Sequence, residues 1–262
     1  MPCAKVEKYH GSPAIMVDGK PVPPMSVTIA DWARVEPDTL RAYYRDLREA
    51  GIRMFYLTTD TRWNQPGNAE KGVPDGITRT VEKMKLLIEA VPDAYIMLRL
   101  NVSPPAEWVN AHPEELLTYS DGQPRQVICT SVGSSILDGM HSLCSEAWRR
   151  DGDAALKEYF DELETLPQFS NVIGFFLCAG GTSEWYYPQG LVNEDGTYGD
   201  FSEPFRRSFS AFLKKKYGTE EELRRVWKKP DASFEKPLIP TPAEQTYVTR
   251  ADEEIASALQ NW

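Results

Sequence analysis

Histidine and cysteine are scarce in this chain, and neither is clustered. The three histidines, His10, His112 and His141, stand apart from one another and from any cysteine pair, so the paired spacings of a zinc site are missing and no metal or other cofactor is expected. Cys3, Cys129, Cys144 and Cys178 show no CxxC spacing, which fits free thiols in a reducing, cytoplasmic setting. Positive charge is in deficit too. With 29 Lys and Arg against 39 Asp and Glu, the formal net charge of -10 argues against a nucleic-acid partner. The one basic run, Lys214 to Lys216, closes a helical pattern, where cations favour the helix dipole. No apolar stretch reaches the roughly 20 residues that span a bilayer, and the opening MPCAKVEKYHG lacks the hydrophobic region of a signal peptide. No membrane partner is expected.

What is present is an alternation of strand and helix patterns. At 262 residues and 41% hydrophobic the chain is long enough for one sizeable core. A hairpin around Asp18-Gly19 leads to a strand near Met25 to Ala30. A helix follows, with Pro37 in its first turn, an apolar stripe of Leu40, Tyr43, Tyr44 and Leu47, and Gly51 as its stop. The pattern repeats as a strand over 52–57, a helix over 77–91 and a strand over 94–100. A longer excursion holds a short helix near Ala106 to His112 and a turn at Asp121-Gly122, then a long helix over 145–166 reaches the strand Val172 to Cys178. That last strand is apolar at every position, as in a parallel strand covered on both faces. Strands alternating with helices indicate a parallel α/β architecture.

Beyond the fourth strand come a helix over 204–217 and another over 220–228, opened by the capping box of Thr219 and Glu222. Pro-rich sequence from 230 to 242 reads as loop, and 251–262 as the start of an amphipathic helix.

The chemistry concentrates after the strands. NVIGFFLCAGGTSEWYYP, from Asn171 to Pro188, breaks at two glycines and delivers Glu184 beside aromatic rings, a combination suited to sugar chemistry. In a (β/α)8 barrel the strand ends carry the catalytic groups. Asp60 and Trp63 follow the second strand: the acid fits either bridging of sugar hydroxyls or capping of a loop, and the ring either stacking on a pyranose or local packing. Arg99 and Asn101 flank the end of the third strand, where an arginine serves either to orient a carboxylate or in a structural ion pair. Trp108 reads as an anchor for its short helix, and Trp32 as an outer candidate for a subsite floor.

Three segments together, SPPAEWVNAHPEELLTYSDGQ, NVIGFFLCAGGTSEW and FRRSFSAFLKKKYGTEEELRRVW, resemble glycoside hydrolase family 42, the β-galactosidase family of the clan A (β/α)8 glycosidases. Order and spacing agree across most of residues 14–229. The resemblance implies a TIM-barrel type α/β fold of which this chain holds the first four βα units, with 1–262 a single domain incomplete at its carboxyl end and 189–250 a helical and Pro-rich insertion. It implies a retaining glycosidase acting on β-galactosides or related β-glycosides, with Glu184 as acid/base and Ser183, Trp185, Asp60, Trp63, Arg99 and Asn101 toward the substrate. Two departures stand out. Ser183 occupies the place of the asparagine that precedes the acid/base glutamate, and the nucleophile after the seventh strand has no counterpart here. A catalytically inactive carbohydrate-binding or interaction module is the alternative, in which open strand edges invite a second copy of the chain.

Overall fold

The computed structural model describes residues 2–28, 35–124, 127–129, 135–137, 139–179, 185 and 199–239. Contacts divide the chain into two compact units: Met1–Pro105, Cys129–Ser135 and Asp151–Trp185 form the first, and Ala106–Ile128, Ile136–Arg150 and Tyr186–Trp262 the second.

In the first unit the opening strands β1 (Ala4–Tyr9), β2 (Ser12–Val17) and β3 (Lys20–Val22) form an antiparallel meander. Both its turns are two residues long, with Val17 opposite Lys20 and Tyr9 opposite Ser12. Asp18-Gly19 and His10-Gly11 each hold positive φ at both positions, the mirror-image turn that suits the twist of a hairpin. The first turn to form β1 was not legible, because His-Gly is a weaker signal than Asp-Gly.

Four parallel strands follow, β4 (Ser26–Val27), β5 (Met54–Asp60), β6 (Tyr95–Asn101) and, after the two-stranded ribbon of β7 (Val127–Cys129) and β8 (Ser135–Leu137), β9 (Val172–Cys178). Their spatial order β4-β5-β6-β9 follows the chain. The helices α1 (Pro37–Glu49) and α2 (Gly76–Ala90) supply the first two crossovers, and α4 (Glu146–Leu163) precedes β9. Every expected strand of this sheet is present, and β9 has the bounds read from the sequence. Phe55, Leu57 and Thr59 of β5 share one face with Ile96, Leu98 and Leu100 of β6, and all six are buried. Tyr44 of α1 meets Phe55 edge-on, and Phe160 of α4 meets Phe175 of β9. Tyr159 of α4 is fully buried and donates to the Thr59 hydroxyl; burial pushes its own hydroxyl up to about 12.

The opposite face differs from the all-apolar expectation. Tyr56, Met97 and Arg99 are only half-buried there and Phe176 of β9 is 45% exposed, while Leu177, level with Leu100 on the helix-facing row, is 38% exposed. At the other end the sheet is sealed. Register slips by one between the pairs Ile96 with Val172 and Met97 with Gly174, leaving Ile173 as a bulge residue. Ile173 packs with Met54, Val17 and Val22, and Tyr95 joins them, so the meander covers the amino ends of β5, β6 and β9.

The second unit has its own core. Leu117 pairs with Met140, and Phe201 with Thr118, through backbone hydrogen bonds. The short helix α3 (Ala106–Ala111) buries Trp108, which stacks on His112. Helices α5 (Glu203–Tyr217) and α6 (Glu220–Trp227) enclose Phe209, Leu213, Leu223 and Trp227. Half of the expected capping box forms: Thr219 accepts from the Glu222 amide, but the Glu222 carboxylate turns to Arg225. Nearby in sequence to the Ser142 hydroxyl, which donates to Asp200 at 2.6 Å, His141 lies fully buried against Trp148 with its Nε2 unpartnered.

Burial alone pulls the His141 imidazole down to about 3. A histidine that is harder to protonate when folded contributes stability that is present above its unfolded value near 6.5 and is lost as pH falls toward the folded one. Between pH 6.5 and 5, above the range of ordinary carboxylates, chemical denaturation of the wild type loses up to ~1.4 kcal/mol more per pH unit than a His141→Phe variant. Equal slopes in the two proteins would remove this assignment.

Candidate functional site

The register of the parallel strands decides which side chains meet. Asp60 pairs with Asn101, and Asn101 with Cys178, so three strands end level with one another. Of these three level residues, only Asp60 is a carboxylate. Asp60 and Asn101 are 2% and 1% exposed, and a buried carboxylate needs hydrogen bonds to remain charged.

Asn64 supplies one. Its Nδ2 donates to Asp60 Oδ1 at 3.1 Å and to the Asn101 carbonyl at 3.2 Å, while its Oδ1 accepts from the Thr61 hydroxyl at 2.9 Å. One amide therefore ties the loop after β5 to the end of β6. Asn101 Oδ1 accepts from the Ser103 amide at 2.9 Å, a local turn that fixes the exit from β6. Asn64, Thr61 and Ser103 are buried and were not singled out in the sequence; an amide four residues beyond Asp60, within the polar run TTDTRWN, was the signal available.

The other expected residues fall on different sides of this network. Arg99 lies two residues before Asn101 on the half-buried sheet face with Tyr56 and Met97, and its carbonyl accepts from Thr59. Burial raises the Tyr56 hydroxyl, and the positive charge of Arg99 opposes that shift in part. Trp63 is half-buried, with Cζ3 3.9 Å from where a Cβ on Gly152 of α4 would stand. Trp185 is exposed, and its indole donates to the Leu177 carbonyl at 2.6 Å, which returns the chain to the carboxyl end of β9. Glu184, Ser183 and Trp32 lie outside the described residues.

The loop that carries Asn64 is closely fitted. Gly76 opens α2, and a Cβ there would stand 2.5 Å from the carbonyl oxygens of both Asp60 and Thr61. Only glycine lets the helix approach the strand end so closely. Asp75 caps the same helix by accepting from the Thr78 amide, and despite its burial that bond and Arg62 hold its carboxyl below the usual range. Among the described residues, no group of three His, Cys, Asp or Glu side chains is placed to hold a metal ion, and no helix is long and apolar enough to cross a membrane. The arrangement gathers a carboxylate, amides and hydroxyls at one sheet end, buried and hydrogen-bonded to one another.

Gly76→Ala has nowhere to put its methyl group, because the atoms it meets are backbone. Denaturation should show a loss of roughly 1–3 kcal/mol, the usual cost of forcing a methyl into a packed site. A change within experimental error would show that the loop yields freely.

No family model and no curated protein sequence matches this chain. Solved structures do. The catalytic domain of a β-amylase from Paenibacillus polymyxa superposes with a TM-score of 0.58 at 13% identity, over 90% of this chain and 57% of that one. A β-galactosidase from the psychrophilic Marinomonas ef1 gives 0.53 at 16% identity over 80% of this chain, and a cold-adapted β-galactosidase from Rahnella sp. R3 gives 0.53 at 15% over 83%. This chain spans 29% and 28% of the length of those two proteins. At such identities the likeness is one of fold, and the four-stranded parallel α/β sheet described here is similar to part of each.

Proposed function

We propose that this chain is part of a (β/α)8-barrel glycoside hydrolase of the β-galactosidase type, similar to family 42, acting on β-galactosides or related β-glycosides without a cofactor. The observation that carries the reading is the polar set at the carboxyl ends of β5 and β6, on a sheet whose fold is similar to that of β-galactosidases and a β-amylase. Trp185, the residue after Glu184 in sequence, supports this reading, since its indole bonds to Leu177 at the end of β9. In this reading Glu184 protonates the departing glycosidic oxygen and later takes a proton from water. Ser183 serves the sugar hydroxyl that an asparagine would bind, and Arg99 and Asn101 border the site.

The nucleophile is assigned to none of the described residues. Asp60 is buried and hydrogen-bonded to Asn64, a state suited to orienting neighbours rather than to attack on an anomeric carbon. The same observation favours a second reading, a carbohydrate-binding or interaction module without turnover.

Hydrolysis of aryl β-galactosides separates the two. Under the enzyme reading, Glu184→Gln lowers kcat/KM about 10²- to 10⁴-fold on a phenyl galactoside and far less on a dinitrophenyl galactoside whose leaving group needs no proton, while kcat falls on both because the second step loses its base. Sugar binding without turnover by the wild type supports the module. Neither binding nor turnover would sink both.

A further inference from the structure

Arg62 lies between the buried Thr61 and the half-buried Trp63 in the loop that follows Asp60. Each of its three nitrogens meets a carboxylate. Nε reaches Asp75 Oδ2 at 3.2 Å, Nη1 reaches Glu158, and Nη2 reaches Glu162 Oε2 at 2.9 Å. Asp75 is the cap of α2, and Glu158 and Glu162 stand one turn apart on α4. One guanidinium therefore joins two helices to the loop. Its planar fork meets three acceptors in fixed directions, which a lysine ammonium cannot reproduce. It also separates Glu158 from Glu162, whose like charges at that spacing repel.

We propose that Arg62 is the positioning residue of the carbohydrate site: by fixing Thr61 to Gln65 against α2 and α4, it sets where Asn64 bridges Asp60 and Asn101. The inference rests on the carbohydrate reading of these strand ends. Its path is short. Gln65 donates to the Thr61 carbonyl at 3.1 Å, and Gly76 to the Gln65 carbonyl at 2.8 Å, so the loop closes on the helix start that Arg62 grips through Asp75. Asn64 lies inside that closed turn.

The test compares wild type, Arg62→Gln, Arg62→Lys and the double variant Glu158→Gln/Glu162→Gln by amide hydrogen exchange and by titration with galactose. Arg62→Gln should speed exchange across 61–65 while leaving the amides of β5 and β6 unchanged, and weaken galactose binding roughly tenfold to a hundredfold. The double variant should reproduce both effects in part, and Arg62→Lys should restore neither fully. Unchanged exchange at 61–65 in a folded Arg62→Gln protein overturns the proposal, as does faster exchange that extends through β5 and β6, which would mark general destabilisation. Wild type that binds no galactose counts against the carbohydrate reading alone, and the exchange pattern then decides the role of Arg62.

Discussion

The structure depends on the level ending of β5, β6 and β9. Parallel strands joined by helices have no turn to set their register, so side-chain packing must do it. Here the helix-facing row of Phe55, Leu57, Ile96, Leu98 and Leu100 is buried without gaps, and a shift of one residue would carry this row to the other face. Asp60, Asn101 and Cys178 then come to rest side by side because residues several positions earlier are fixed. The polar end of the sheet inherits its geometry from the apolar middle.

Against that frame the loop after β5 is an addition in polar chemistry. Asn64 spans two strands with one amide, Gly76 admits the helix to the strand end, and Arg62 draws two helices to the loop. None of these belongs to the hydrophobic core. A buried polar network of this kind gives little net stability but penalises every alternative in which one member loses its partner. Its contribution is uniqueness of geometry, as a ligand site requires.

Periodicity made the parallel sheet legible, since apolar strands of seven residues and helices of three or four turns leave strong patterns. β9 emerged with its bounds intact, as did the turns at Asp18-Gly19 and Asp121-Gly122. The exposure of Phe176 and Leu177 was not legible, because hydrophobicity reports what a residue favours and not what lies over it. Asn64 escaped notice for a related reason: a single amide in a polar loop has no pattern, and its meaning comes from the Asn101 carbonyl brought near by the fold. Glu158 and Glu162 carry no sequence pattern that points to a common partner, and only the fold supplies the arginine they share. Asp60, Arg99 and Asn101 were legible as strand-end residues, whereas their burial and bonding were not.

The amino-terminal meander gives the sheet a direction. Val17, Val22 and Ile173 close the ends where the strands begin, with no polar group among them, while Asp60 and Asn101 lie where the strands finish. The two ends thus answer to different demands: one excludes water, the other bargains with it. Sequence drift in the meander alters how firmly the sheet is held, and drift in the opposite loops alters what the sheet recognises. The same four strands can keep their stability while their binding face is rewritten.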